Sequence, residues 1–254
     1  MSHVLLLAQR SVVRTLRQPA MVVPSIVFPL LLLSINSSGL DSATLLPGFP
    51  TDAYFQFAIA IPFIQGALFA AMSAGTNVAS DIESGFLNRL ALTPLRRVAL
   101  MLGQLTGILA LGLIQALTFV AVGLSFGEGV AAGPGGILVL ILLSLTITLA
   151  FGSIGAFVAL RTGNGETVQA VFPLFFASLF LSSMSLTRDL IEIDWFRTVA
   201  TWNPVSYMLE GIRSLFIVGW DGEALLLGFA CAAAIAAIAL VGCASALRNR
   251  MVRT

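Results

Sequence analysis

Long apolar segments separated by short polar stretches make up most of this 254-residue sequence. A helix that crosses a bilayer core of about 30 Å needs about 20 mostly apolar residues, because lipid cannot bond exposed backbone groups. Six segments meet this requirement, so we expect an all-α membrane protein with six transmembrane helices. The segments are residues 20–35, 55–79, 95–126, 136–160, 168–186 and 224–247.

The first 18 residues have an amphipathic pattern. A helix would place three arginines on one side and apolar side chains on the other. The arginines are Arg10, Arg14 and Arg17, and the apolar residues are Leu5, Val12 and Leu16. We therefore expect residues 1–18 to form an amphipathic helix along the cytoplasmic leaflet. A basic leader that only sets topology is the alternative, and a signal peptide is disfavoured because its basic region would be too long.

Composition and charge support the membrane assignment. Hydrophobic residues make up 58% of the chain and charged residues 10%, and the mean hydropathy is +0.99, outside the range of soluble domains. The net charge of +1 gives no general attraction to nucleic acid, so no nucleic-acid partner is expected. Ten of the 13 basic residues, all of them arginine, fall on one side of the predicted spans. The positive-inside rule then places both termini in the cytoplasm.

One polar, helix-forming segment, residues 80–93, lies between the second and third spans. Ser80 can act as its N-cap, with Glu83 as the third residue of a capping box. Thr93 ends the helix, because the residue before Pro94 is excluded from the helical region. The pattern alone leaves two interpretations: an interfacial helix that only closes a loop, or a helix contacted by a cytoplasmic partner.

Two motifs in this chain resemble signatures of type-2 ABC exporter permeases, in particular the daunorubicin-resistance branch. The first has the pattern D-x-E-x-G-x-L-x-R-L-x-x-T-P, and its matching residues are Asp81, Glu83, Gly85, Leu87, Arg89, Leu90, Thr93 and Pro94. The second has the pattern N-P-x-x-Y-x-x-E-x-x-R, and its matching residues are Asn203, Pro204, Tyr207, Glu210 and Arg213. The fifth span, with its F-P-L core at residues 172–174, also fits the family.

The resemblance implies that residues 1–254 form a single transmembrane domain whose segment 80–93 is a coupling helix. This helix would dock on a separate P-loop ATPase, which would bind ATP and Mg²⁺ in two copies per complex. A second copy of the permease, or a sister permease, would complete the pathway, and membrane lipids would surround it. The expected coupling residues are Asp81, Glu83, Gly85, Leu87, Arg89, Thr93 and Pro94.

The longest segment on the opposite side, residues 188–222, lies between the fifth and sixth spans. Asn203 can cap a helix that begins at Pro204, and we expect Glu210 and Arg213 to form an ion pair on it. The resemblance implies re-entrant helices that close the outward exit, with the five residues of the second motif at this gate. An aromatic belt at the membrane interface is the alternative.

The sequence predicts no catalytic, cofactor or metal site. A P-loop needs a lysine and the chain has none, so ATP hydrolysis is expected on another subunit. His3 is the single histidine, which disfavours a metal site and an enzyme built on Glu192 and Asp194. A proton-coupled carrier is disfavoured because it would usually bury ionisable residues within its spans.

The resulting hypothesis is a permease subunit of an ATP-driven exporter in a bacterial cytoplasmic membrane. Its substrate would be amphiphilic or hydrophobic, either drug-like or lipid-like, because phenylalanines are frequent in the spans. The candidate residues of the substrate path are Phe172, Phe175, Phe176 and Phe180. Export of a polysaccharide or glycolipid, and a membrane scaffold without transport, are the alternatives.

Overall fold

The computed structural model describes residues 2–86, 97–127 and 129–252, and the regular structure in these ranges is helical. Short 3₁₀ helices lie at Asp41–Leu45 and Arg188–Leu190. The α-helices are α1 (Ser2–Leu16), α2 (Pro19–Gly39), α3 (Tyr54–Ala58), α4 (Ala60–Glu83), α5 (Arg97–Ser125), α6 (Gly133–Thr162), α7 (Gly165–Phe180), α8 (Asp194–Trp202), α9 (Pro204–Ile217) and α10 (Gly222–Val252). The all-α fold predicted from the sequence is confirmed.

Five candidate membrane spans occur in the described ranges. They are Pro19–Gly39, Tyr54–Glu83, Gly103–Ser125, Gly133–Thr162 and Gly222–Arg250. The fifth apolar segment of the sequence forms α7, which has only 16 residues. A helix of this length measures about 24 Å, less than the bilayer core of about 30 Å. The prediction that this segment is helical as far as residue 186 is wrong, because α7 ends at Phe180.

Helix α4 lies at the centre of the bundle, where it packs against α2, α5, α6 and α7 and is buried along most of its length. Its crossing with α6 is close because glycines lie at the contact between the two helices. A Cβ on Gly155 would collide with the carbonyl group of Ala71, and one on Gly75 would lie 2.9 Å from the carbonyl oxygen of Gly155. Small residues let helices approach closely where lipid provides no hydrophobic driving force. This crossing fixes α4 against α6.

Helix α1 is present as the sequence predicts, and it packs along the first turns of α5. A Cβ on Gly103 would lie 2.6 Å from the Cβ of Leu7, and one on Gly107 would lie 2.9 Å from the carbonyl oxygen of Ser11. The hydroxyl of Ser11 also donates to the carbonyl oxygen of Gln104. The two glycines of α5 therefore form a groove for α1.

Several helix termini meet at one end of the bundle, which we call the basic end. There the amide of Gly165, at the start of α7, donates to Glu83, the last residue of α4. Arg250 of α10 donates to the carbonyl oxygen of Leu160, near the end of α6. Arg14 of α1 is ion-paired with Asp81 of α4. Arg14 and Arg250 thus lie at this end, and its cytoplasmic orientation stays a prediction.

Candidate functional sites at the two ends of the bundle

Asp81 is the centre of a charged cluster at the basic end. Its side chain is almost fully buried and accepts hydrogen bonds from Arg14 at 2.6 Å and from Arg10 at 3.1 Å. The amide group of Gln104 on α5 lies 3.5 Å from its second oxygen. One carboxylate therefore links α1, α4 and α5, which come from separate parts of the sequence.

The position of Asp81 in its helix differs from the prediction. We expected Ser80 to begin a new helix, but α4 continues through Ser80 and ends at Glu83, with Ser84 as C-cap. Gly85 follows with φ of +67°, a conformation that favours glycine and turns the chain away from the helix. Asp81 thus lies in a last turn, where the helix dipole disfavours a carboxylate. The two arginines offset this unfavourable position.

The same cluster reaches the start of the predicted coupling segment. The guanidinium carbon of Arg10 lies 3.8 Å from the ring centroid of Phe86, the last residue of the segment before the range that the structure does not describe. Four predicted coupling residues lie outside the described ranges, and their assignment stays a prediction. They are Leu87, Arg89, Thr93 and Pro94. Within the described part, α1 contacts the segment at both Asp81, near the end of α4, and Phe86.

Glu83 lies at the rim of an open hollow at the basic end. Its side chain is exposed, and one carboxylate oxygen accepts the amide hydrogen of Gly165 at 3.3 Å. Glu166 and Gln169 of α7 border the same hollow. The structure therefore places Glu83 on the surface beside α7, where its charge is accessible to another molecule.

At the opposite end, α9 carries a stripe of polar residues with helical spacing. Asn203 caps α9 by accepting the amide hydrogen of Val205 at 2.9 Å, and Pro204 is the first helical residue, as predicted. The stripe consists of Asn203, Ser206, Glu210 and Arg213, spaced three or four residues apart. All four contact the stretch that follows α7. We call residues 181–187 of that stretch the unwound segment.

Arg213 is the most deeply placed charge of the stripe, with 5% of its surface exposed. Its guanidinium donates to the carbonyl oxygens of Ser183 at 2.6 Å, Met184 at 2.5 Å and Phe57 at 3.0 Å. It also lies over the ring of Phe57, 3.5 Å from the centroid. Phe57 belongs to α3, just before the break that separates α3 from α4. One side chain therefore ties this break to the unwound segment.

The predicted ion pair between Glu210 and Arg213 is wrong. Glu210 instead pairs with Arg188, at 2.6 Å, and accepts a hydrogen bond from the hydroxyl of Ser183. Burial acts to lower the pKa of Arg188, but the adjacent Glu210 carboxylate raises it above its ordinary value. Tyr207 contributes its ring, which lies 4.5 Å below the guanidinium of Arg188. Arg213 binds the backbone carbonyls of the unwound segment instead of the Glu210 carboxylate.

Comparison with known proteins identifies the family. The family model described as "ABC-2 type transporter" matches residues 2–217. The chain belongs to the ABC-2 type transporter family. It is 28% identical over 212 residues to transport permease ycf38 of Porphyra purpurea, covering 83% of this chain and 72% of the relative. A second ycf38 relative, from Pyropia yezoensis, is 28% identical over 218 residues, covering 85% of this chain and 74% of the relative.

The aromatic residues of this ABC-2 permease fall into separate groups. Phe172 and Phe176 of α7 pack with Phe69 of α4 at 5.4 and 6.1 Å between centroids, and Phe28 of α2 contacts Phe176. Phe175 instead points toward α6, where it contacts a phenylalanine ring. Phe180 is 56% exposed. The four candidate path residues therefore do not share one surface, and their contact with substrate stays a prediction.

Two interactions of the permease were absent from our sequence interpretation. The first is the pairing of Asp81 with α1, although Arg10 and Arg14 are spaced four residues apart and so can reach one carboxylate. The second is the contact of Arg213 with backbone carbonyls, which leaves no pattern in the sequence because any residue can supply a carbonyl oxygen.

Proposed function

We propose that this ABC-2 permease is the membrane subunit of an ATP-driven exporter for amphiphilic or hydrophobic, drug-like or lipid-like substrates. It works in a bacterial cytoplasmic membrane with both termini in the cytoplasm. A separate P-loop ATPase, present in two copies per complex, binds ATP and Mg²⁺. The permease itself has a transport role and no catalytic site.

The observation that carries this proposal is the frame around the loop between α4 and α5. On one side Asp81 fastens the end of α4 to α1. On the other side Gly103 and Gly107 seat α1 against α5. A force applied to the loop would therefore move α1 and both spans as one unit. This is the arrangement that a coupling segment needs if an ATPase is to act on the membrane helices.

Two surfaces support assembly and an apolar substrate. Helices α2 and α10 expose large apolar side chains along their length, which a second permease copy or a sister permease covers in part and lipid covers elsewhere. The rings of Phe28, Phe69, Phe172 and Phe176 form a continuous aromatic group across α2, α4 and α7. Such a group favours an apolar or aromatic cargo over a sugar polymer.

The first experiment is purification of the permease from its native membrane in mild detergent, followed by mass spectrometry of the proteins that accompany it. The proposal predicts a P-loop ATPase in stoichiometric amount. Reproducible recovery of intact permease without such a subunit would contradict the ATP-driven mechanism and favour a scaffold or a carrier.

A pair of matched substitutions then tests the coupling surface. Glu83→Gln removes the exposed charge but keeps an oxygen that can accept the amide hydrogen of Gly165. We expect it to reduce substrate-stimulated ATP hydrolysis of the purified complex several-fold. Glu166→Gln is the control, because Glu166 is also exposed and lies beside the same hollow. Equal effects of the two substitutions would contradict the assignment of Glu83 to the ATPase contact.

A further inference from the structure

Helix α7 ends earlier than the span predicted from the sequence. That span continues to Leu186 and includes Ser182, Ser183 and Ser185, but the chain forms turns and bends from Leu181 onward. Continued as a helix to Leu186, α7 would measure about 33 Å and would be long enough to cross a bilayer core. The conflict between the sequence pattern and the observed backbone indicates that something holds the unwound segment out of the helix.

Side chains provide the hydrogen bonds that a helix would otherwise make. Lipid cannot satisfy free carbonyls, so an unwound stretch within a membrane protein needs such donors. Arg213 donates to the carbonyl oxygens of Ser183 and Met184, and the hydroxyl of Tyr54 donates to that of Ser185 at 3.0 Å. Asn203 donates to the carbonyl oxygen of Leu181 at 3.0 Å. The amide of Ser183 in turn donates to the hydroxyl of Ser206 at 3.0 Å.

An alternative set of partners is available on α9 itself. Glu210 and Arg213 are three residues apart, a spacing at which two helical side chains can pair. In the structure each has a different partner: Glu210 pairs with Arg188, and Arg213 binds the unwound segment. If Glu210 and Arg213 pair with each other, the carbonyls of Ser183 and Met184 lose their donors. Continuation of α7 through Thr187 would bond them without water, because the amides of Thr187 and Arg188 would then donate to the carbonyl oxygens of Ser183 and Met184.

We propose that Arg213 is a positioning residue that exchanges partners to switch the outer end of α7 between two states. In the clamped state, seen here, Arg213 holds the unwound segment and Glu210 pairs with Arg188. In the extended state Arg213 pairs with Glu210, and residues 181–187 join α7 as about two further helical turns. Each state provides partners for the guanidinium of Arg213 and for the carbonyl oxygens of Ser183 and Met184, as two discrete arrangements of a packed structure require.

The partner exchange of Arg213 deepens the proposed export function. It rests on that function in one respect only, its role as a gate at the outward exit. Extension of α7 by about 10 Å would displace the loop that connects it to α8, and so alter the outer surface of the bundle. The partner exchange itself involves only residues of the permease. It can therefore be tested without an ATPase or a known substrate.

Arg188→Gln in the full-length permease, reconstituted in lipid nanodiscs, is the test variant. Arg188 lies at the surface end of the network, so the substitution releases Glu210 and leaves the buried Arg213 intact. We expect the amide hydrogens of residues 184–187 to exchange more slowly, by about twofold or more. Slowing of this size is expected when at least half of the molecules are in the extended state and carry its added helical hydrogen bonds. If the ion pair between Arg188 and Glu210 is merely structural, its loss should loosen the unwound segment, and the same amide hydrogens should exchange faster.

Two further variants complete the test. Arg188→Gln combined with Glu210→Gln removes the alternative partner of Arg213, and we expect exchange to return to the wild-type rate or above. Arg197→Gln is the matched control, because Arg197 also donates to a backbone carbonyl, that of Ile191, but outside the unwound segment. It should leave exchange of residues 184–187 unchanged. Unchanged or faster exchange in Arg188→Gln, or slowing that persists in the double variant, would overturn the proposal.

Discussion

The two ends of the bundle each bury a charged side chain, but they neutralise its charge with different partners. At the basic end Asp81, 4% exposed, pairs with two guanidinium groups whose own side chains reach the surface. At the opposite end Arg213 donates its described hydrogen bonds to three backbone carbonyls. The first arrangement depends on which side chains are present. The second depends on how the backbone is folded.

This difference separates the roles that the two ends can play. Paired side chains at a helix end can hold three helices together while the helices themselves stay regular, as α4 does up to Glu83. Carbonyls that lack a helical partner become available where a helix is interrupted, as after Phe180 and at the break before Ala60. The basic end is therefore suited to transmit a movement, and the opposite end to change its secondary structure.

Replacement of Arg213 by alanine should have the largest effect on stability. Even if helix continuation bonds the carbonyls of Ser183 and Met184, the substitution leaves a cavity and an unpaired carbonyl at Phe57. We expect a loss of about 3 kcal/mol or more in the free energy of unfolding. Denaturation of the purified protein in mixed micelles would measure it. Arg197→Ala, at an exposed position, should cost less than about 1 kcal/mol, and equal losses would show that Arg213 has no special role.

Gly107→Ala tests whether α1 needs its groove as well as its charges. The added Cβ would lie 2.9 Å from the carbonyl oxygen of Ser11, so α1 must shift away from α5. Overpacking of this kind costs about 1–3 kcal/mol, and the shift should also weaken the pairing with Asp81. The same denaturation measurement applies. Gly39→Ala is the control, since a Cβ there meets no atom within 4 Å, and a similar cost at both positions would exclude a specific groove.

Exchange of charges distinguishes the two ends more directly. In an Arg10→Gln background, Asp81→Asn should cost about 1–2 kcal/mol, because it leaves Arg14 near a neutral amide in a partly buried site. Asp81→Arg combined with Arg14→Asp should recover at least half of that loss. Recovery is possible only where both partners are side chains, so no exchange of this kind can rescue Arg213. If the reversed pair is no more stable than Asp81→Asn, the ion pair is not what fastens α1 to α4.

The general fold was predictable from the sequence, since six apolar segments and an amphipathic first helix follow from hydropathy and periodicity. The cap at Asn203 was predictable for the same reason: it depends on neighbours in the sequence. The continuation of α4 past Ser80 was not predictable, because the capping pattern at Ser80 competes with an apolar helix that simply continues to Glu83. Local signals cannot decide between the two without the packing of α4 against its neighbours.

The partners of charged residues were the least predictable part of the site. The spacing of Glu210 and Arg213 favours a pair, and only the fold shows that Arg188 and the unwound segment bind them instead. The early end of α7 is another case: Leu181, Met184 and Leu186 continue the apolar segment, and the three serines among them do not decide where the helix ends. In both cases a contact between distant segments overrides a local preference. The spacing of residues along the sequence does not predict such contacts.

Salt should produce the smallest and most selective effect. At about 1 M ionic strength the Debye length falls to about 3 Å, so charges that reach the solvent are strongly screened while buried ones are not. The side chain of Arg10 is 43% exposed, whereas Arg213 is enclosed. We expect added NaCl to reduce the stability difference between the wild type and Asp81→Asn by less than about 1 kcal/mol. The stability difference between the wild type and Arg213→Ala should not change with salt. Equal salt dependence at both sites would mean that solvent reaches Arg213 as readily as it reaches the basic end.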